Sequence, residues 1–313
     1  MAQGSAPEVS VIVPLYNEEV IVSEIIGRIR QVMERAGISH EIIAVDDGSA
    51  DDTGGQAART GVRVLRHPYN MGNGAAVKTG IRHARGRILV MLDGDGQHQP
   101  EDIPRLLEKI GAYDMVVGAR SRDSVATVHR KLANGLYNRF ATYVCGRRIE
   151  DLTSGFRAIR AEIARQMVPL LPNTFSYPTT ITLAVVRSGY SLAYIPIKTA
   201  GRTGKSKIKL LRDGSRFFLI IFKLTTLYSP LKIFLPLSLV MFLTGFLYGL
   251  YKVLVLDTRY GPTSAMLMMV AVLVFMVGLV SEQISQLRFD RSELRGFDGC
   301  REITEKSSPY EEA

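Results

Sequence analysis

Asp93 and Asp95 stand two positions apart in the run Leu92-Asp93-Gly94-Asp95-Gly96-Gln97-His98, directly after the apolar stretch 87–92. Carboxylates at that spacing in a glycine-rich turn can aim at one point in front of a strand end. That geometry suits a hard divalent cation that also grips phosphate oxygens. The Gln97 carbonyl can add a neutral oxygen, so Asp93, Asp95 and Gln97 form the candidate metal set. The plain alternative is an Asx-turn opening the next helix, because Asp and Gly also dominate ordinary turns.

Such a turn gains chemistry only if the fold brings other polar turns beside it. Residues 9–14 form a continuous β-branched run ended by proline, which reads as a buried strand. Residues 18–35 carry helical periodicity through Val22, Ile25, Ile26, Ile29, Val32 and Met33. A second strand at 41–45 leads into Asp46-Asp47-Gly48-Ser49, and a short helix follows at 52–58. Strands at 62–66, 88–92 and 113–117 alternate with helices at 74–84 and 103–110. Alternation of this kind implies βαβ units and a mainly parallel sheet. Ligands bind such sheets at the carboxyl ends of the strands. The turns after Pro14, Val45 and Leu92 all lie at those ends and can converge. Beyond Gly118 the pattern loosens into helices at 130–143, 161–168 and 179–187 and strands at 156–159 and 192–197.

The late part of the chain has a different character. The mean hydropathy of +0.09 is high for a purely soluble protein. The excess lies in two uncharged runs, 233–251 and 261–281. Each suffices for a helix across ~30 Å of hydrocarbon. The connection 257–262 is too short for a domain, so the two spans form a hairpin. Basic residues crowd the approach from Lys198 to Lys232, and Arg288, Arg291, Arg295 and Arg301 follow the exit. The positive-inside rule places both flanks in the cytoplasm. Residues 1–8 contain no apolar signal core, which keeps the first 200 residues there too. Within residues 208–228 an apolar stripe opposes Lys209, Arg212, Arg216 and Lys223, as in a helix lying in the membrane interface. The net charge of +9 gathers beside the membrane, where anionic headgroups attract it. That distribution argues against a nucleic-acid partner. Two cysteines give no disulfide framework. The expected organisation is a catalytic domain at 1–200, an amphipathic segment at 201–230, spans at about 231–256 and 262–285, and a cytoplasmic tail at 288–313.

Several chemistries are disfavoured. The first turn, Pro14-Leu15-Tyr16-Asn17-Glu18-Glu19, lacks the glycines that a dinucleotide site needs there. Gly72-Asn73-Gly74 half resembles that fingerprint but follows the wrong strand. The sequence holds no Walker A run and no His/Cys cluster with zinc spacing.

The combination Val-Pro-x-Tyr-Asn-Glu at 13–18, Val-Asp-Asp-Gly-Ser at 45–49 and Asp-x-Asp at 93–95 resembles glycosyltransferase family 2. The segments 117–120, 130–131, 151–157 and 204–207 resemble its polyprenyl-phosphate branch, which includes dolichyl-phosphate mannose synthases and undecaprenyl-phosphate glucosyltransferases. The resemblance implies an α/β GT-A fold with a Rossmann-like, mainly parallel sheet. It also implies inverting hexose transfer from a nucleotide-sugar of the UDP-glucose or GDP-mannose type to a polyprenyl phosphate at the bilayer, assisted by Mg2+ or Mn2+. Asp93, Asp95 and Arg120 would carry catalysis. Pro14, Tyr16, Glu18, Val45, Asp47, Asp93, Arg120, Arg202 and Lys207 would bind the donor. Arg120, Arg130 and Asn134 would face the lipid phosphate. Arg157, within the matched segment 151–157, has the plain structural reading of pairing with a carboxylate to brace its loop. Many relatives place an acidic residue or Gln near 175–180, where this chain has Pro178-Thr179-Thr180. A processive polysaccharide synthase is the enzyme alternative, disfavoured because the chain has no tryptophan. A silent membrane scaffold on the same fold is the non-enzymatic alternative. Homo-oligomerisation stays open.

Overall fold

The structure is a computed structural model that describes residues 6–120, 135, 138–139, 141–143, 145–174, 176–199, 226 and 229–293, with side chains of the last helix to 287. Seven strands form one sheet in the order β3-β2-β1-β4-β6-β5-β7. Strands β1 (Val9–Leu15), β2 (His40–Asp46), β3 (Arg63–Arg66) and β4 (Ile88–Met91) pair in parallel. Helices α1 (Val22–Arg35), α2 (Thr53–Arg59) and α3 (Asn73–His83) provide the crossovers. After α4 (Ile103–Ile110) and β5 (Met115–Arg120), strand β6 (Arg157–Arg160) inserts antiparallel between β4 and β5. Helices α5 (Ala161–Met167) and α6 (Tyr177–Arg187) then lead to β7 (Leu192–Ile197), parallel to β5.

Both faces of the sheet are buried, as the continuous apolar strands require. Ile12, Ile43, Val77, Leu89, Met91 and Tyr177 pack on one side; Val11, Ile26, Ile29, Val90 and Phe156 pack on the other. Every apolar residue of the α1 stripe is buried, and each such side chain contributes about 1.5–3 kcal/mol. The helix nevertheless starts at Val22 rather than at residue 18. The reason is local. Asn17 takes φ 55°, and its N–H donates to Ser49 Oγ at 3.0 Å while its Oδ1 accepts Ala50 N–H at 2.9 Å. The Glu18 N–H donates to Thr53 Oγ1 at 2.8 Å. Residues 17 and 18 thus lace the first polar turn to the second instead of opening a helix. Strand β5 runs to Arg120, three residues beyond the sequence expectation, and this extension carries Arg120 to the carboxyl edge.

Two apolar helices follow, α7 (Leu231–Leu254) and α8 (Pro262–Glu293). Only 17% of the most apolar window of each is buried, so these are not core helices of the sheet domain. Glycines let them approach: a Cβ at Gly249 would strike the Tyr260 ring, and one at Gly278 would come within 2.6 Å of Phe234 Cβ. The second helix outruns the expected end at 285. Most of the expected amphipathic segment, and the tail from 294, lie outside the described residues.

Candidate active site

The turns after β1, β2 and β4 meet at one edge of the sheet, with the end of β5 beside them. Asp46 is fully buried; its Oδ1 accepts Ser49 N–H at 2.9 Å and its Oδ2 lies 3.3 Å from Arg66 Nε. It therefore holds the second turn in shape. Asp47 is 2% exposed. Its Oδ1 meets His67 Nδ1 at 2.7 Å and Met71 N–H at 2.9 Å, and its Oδ2 accepts Gly72 N–H at 2.8 Å. In this arrangement Asp47 builds the wall formed by residues 67–72. Val45 belongs to the core and Pro14 is buried, so the strand ends present mainly backbone there. Tyr16 is 38% exposed and Glu18 is half-buried at the rim.

Asp93 sits at the centre. Its Oδ1 lies 3.5 Å from Asn73 Nδ2 at the start of α3, and its Oδ2 lies 3.6 Å from His98 Nε2. His98 is buried and stacks on Phe156, with ring centroids 5.4 Å apart. On the far side Gly155 comes so close that a Cβ there would strike both Asp93 oxygens. Desolvation pushes the Asp93 carboxyl upward, but the hydrogen bond and charge of His98, the Asn73 amide and the Arg157 charge outweigh it. The carboxyl ends below its ordinary range and is ionised near neutral pH. Asp95 Oδ1 accepts the Gln97 backbone N–H at 3.1 Å, and its Oδ2 accepts Gln97 Nε2 at 2.7 Å. The amide nitrogen of Gln97, not its carbonyl, thus faces Asp95.

Arg120 enters from the end of β5. Its Nε donates to Asp151 Oδ2 at 2.8 Å, its Nη2 donates to Asp151 Oδ1 at 2.9 Å, and Nη2 also reaches Thr153 Oγ1. Desolvation opposes the Arg120 charge, yet Asp151 and the nearby Asp93 carboxylate more than restore it. Desolvation likewise pushes the Asp151 carboxyl up, and the Arg120 fork holds it below the ordinary range. Among the described residues Arg157 makes no direct ion pair with a carboxylate, which differs from the expected bracing of its loop by an anion. It is fully buried, and its hydrogen bonds go to the carbonyl oxygens of Ser154 and Pro178 and to Thr182 Oγ1. It still braces the loop 151–155, through dipoles rather than through an anion.

The structure therefore brings together Asp93, Asp95, Gln97 and Arg120, with Tyr16 and Glu18 at the rim. Arg130, Asn134, Arg202 and Lys207 lie outside the described residues. Sequence reasoning missed Asn73, His98 and Asp151 as site residues. His98 carried a signal, since it ends the acidic run itself; the Asn73 contact is visible only once α3 is placed.

Comparison with known proteins agrees with this geometry. Residues 10–168 match the family model of glycosyl transferase family 2, and residues 229–287 match the GtrB C-terminal hairpin. An undecaprenyl-phosphate 4-deoxy-4-formamido-L-arabinose transferase of Klebsiella pneumoniae (strain 342) is 30% identical, over 87% of this chain and 84% of its own length. The protein of the same name from Edwardsiella ictaluri is 28% identical over 97% of this chain and 96% of its own. Among solved structures, glucosyl-3-phosphoglycerate synthase from Mycobacterium tuberculosis, in complex with Mn2+, UDP and phosphoglyceric acid, superposes with a TM-score of 0.56 at 20% identity. That match covers 70% of this chain and 77% of the other, and it shows a shared fold. The chain is a glycosyltransferase and belongs to glycosyl transferase family 2, with a GtrB-type hairpin after the catalytic domain.

Proposed function

We propose that the protein transfers a sugar from a nucleoside-diphosphate donor to a polyprenyl phosphate at the cytoplasmic membrane surface, with inversion. One observation carries the reading: the Asp93–Asp95 turn and the Arg120–Asp151 pair share a sheet edge in a chain whose next elements are two exposed apolar helices. The full-length relatives that act on undecaprenyl phosphate support it.

A polyprenyl phosphate is already an anion near neutral pH. Its oxygen needs no general base to attack, unlike a sugar hydroxyl. The work left to the enzyme is to hold two anionic reactants in line and to stabilise the departing diphosphate. Arg120 is suited to the second task through its Nη1 edge, because Asp151 takes Nε and Nη2 and so fixes the plane of the guanidinium. Arg202 and Lys207 are proposed diphosphate contacts, and Arg130 with Asn134 is the proposed acceptor-phosphate face.

The chemistry of the acidic turn fits a divalent metal. Among the described residues no group of three or more His, Cys, Asp or Glu forms a ready cage. Mg2+, and by extension Mn2+, takes one or two carboxylates and completes its shell with substrate phosphate and water. Asp93 and Asp95 would supply those carboxylates, with Gln97 orienting Asp95. When bound, the ion would neutralise charge on the leaving diphosphate. The donor is inferred to be a hexose of the UDP-glucose or GDP-mannose type. Purified protein with undecaprenyl phosphate and a panel of nucleotide-sugars, read by mass spectrometry of the lipid product, tests the reading. Transfer only to water, or no lipid-linked product with any donor of the panel, would overturn it.

A further inference from the structure

Glu282 is the first charged residue along α8, directly after the uncharged stretch 262–281, and an acid at the edge of an apolar span calls for a partner. It lies about 30 Å along α8 from Pro262 at ~1.5 Å per residue, at the end of the helix nearest the sheet domain. Its Oε1 sits 3.6 Å from Arg187 Nη2, at the last residue of α6. Its Oε2 accepts the N–H of Leu231, the first residue of α7, at 3.1 Å. One carboxylate therefore fastens α6 to the roots of both apolar helices.

The other end of α6 lies at the active site. Tyr177 directs its hydroxyl to the Gly155 carbonyl at 3.5 Å, and Pro178 O accepts Arg157 Nη1 at 3.0 Å. Gly155 is the residue pressed against Asp93. A second route reaches the same loop from its opposite end. Lys232 Nζ donates to Tyr143 O at 3.0 Å and lies 5.7 Å from the centre of that ring. Asn138, five residues earlier in the chain, accepts Leu152 N–H at 3.1 Å and donates to Glu150 O at 2.6 Å. Asp151, which holds Arg120, lies between those two contacts.

We infer that Glu282 and Lys232 are positioning residues: through α6 and Tyr143 they tie the sheet domain, as one body, to the two apolar helices and so hold its active-site edge at a set height and tilt over the bilayer, without shaping loop 151–155 itself. This rests on the transfer reading above, because only an acceptor buried by its lipid tail makes height matter. A water-soluble acceptor can reach the site at any tilt, whereas a membrane-held phosphate cannot.

The test uses full-length protein in phosphatidylethanolamine–phosphatidylglycerol vesicles, with Glu282→Gln, Lys232→Ala, the double substitution, and the conservative Glu282→Asp. Each is assayed with undecaprenyl phosphate in the bilayer and with a short, water-soluble prenyl phosphate. The expected result is a rise in apparent KM for the bilayer acceptor on the order of 3- to 10-fold for Glu282→Gln, between the effects of exposed and buried ion pairs. KM for the nucleotide-sugar and turnover with the short acceptor should stay unchanged, and Glu282→Asp should recover part of the loss. Equal losses with both acceptors, or no loss with either, would overturn the inference. A separate arm needs no turnover: energy transfer from a dye on Glu108→Cys, in a background lacking Cys145 and Cys300, to acceptors in the headgroup layer. Glu282→Gln should shift or broaden that distance, and an unaltered distribution would overturn the inference whatever reaction the protein performs.

Discussion

Arg120 and Asp151 face each other as a two-pronged pair, 2.8 and 2.9 Å apart along its two prongs, at the junction of β5 with the loop that abuts Asp93. Asp151 is 8% exposed and Arg120 31%, so the pair sits between surface and interior. Asp151→Asn keeps the shape but removes the anion, and should destabilise the fold by about 1–3 kcal/mol, below the fully buried range. It should also slow transfer, because Arg120 loses its set orientation. Arg120→Lys should be nearly as harmful, since a lysine keeps the charge but loses the fork. Denaturant unfolding and initial rates on the same samples check both statements.

The same pair fixes a pH dependence. Its folded state holds the Asp151 carboxyl below the ordinary range, so the stabilisation is present above the unfolded value of about 3.9. It is lost as pH falls through the lower folded value. The stability gap between the wild type and Asp151→Asn should therefore be full at pH 7 and close in acid below pH ~4. Melting curves across that range give the check; a gap that widens in acid would contradict the sign.

Gly155 is the residue for which space, not chemistry, makes a prediction. A methyl group there must displace the Asp93 carboxylate or its own loop. Gly155→Ala should cost about 1–3 kcal/mol of stability by overpacking and lower transfer far more than that loss explains. Thermal melting beside donor titration separates the two effects.

Asp95→Asn should reduce turnover by about 100-fold or more, the scale on which one stabiliser of leaving-group charge acts, with melting unchanged. Excess chelator should produce the same loss in the wild type, and Mg2+ or Mn2+ should reverse it. Near-normal turnover under either condition would remove the metal role.

The hairpin makes a topological prediction. Thr258 is exposed in the short connection between the two apolar helices. A cysteine there should react with an impermeant reagent from outside the cell, whereas one at Ser308 should react only after permeabilisation. The opposite pattern would invert the orientation.

The parts of this fold that were legible in the sequence are those governed by local pattern. Strand β1 and helix α1 announce themselves by unbroken and by 3.6-residue apolar spacing, and both spans by length alone. The placement of Asp93 and Asp95 at a strand end was readable for the same reason. The turn that carries Asp47 was readable too, but the partners of Asp47 were not: its three hydrogen bonds go to residues 20 to 25 positions away, and no periodicity encodes them. Arg157 was misread because sequence shows a charge and suggests an anion, whereas the interior supplied carbonyl oxygens from Ser154 and Pro178 instead. The antiparallel insertion of β6 between β4 and β5 likewise has no local signature, since a four-residue strand reads the same in either direction.

All seven strands are complete by Ile197, before Leu231 opens the first apolar helix. During synthesis the sheet domain can therefore fold on the emerging chain while both spans are still unmade, since domains fold as units from the N-terminal side. The hairpin, whose two helices touch mainly each other, can then enter the bilayer as a separate event. The Arg187–Glu282 contact joins an early-made helix to a late-made one, so it can close only once α8 has been made. A failure of membrane insertion should accordingly leave the sheet domain folded but tied to two uncovered apolar helices, so such a chain should aggregate through the hairpin and not through the sheet.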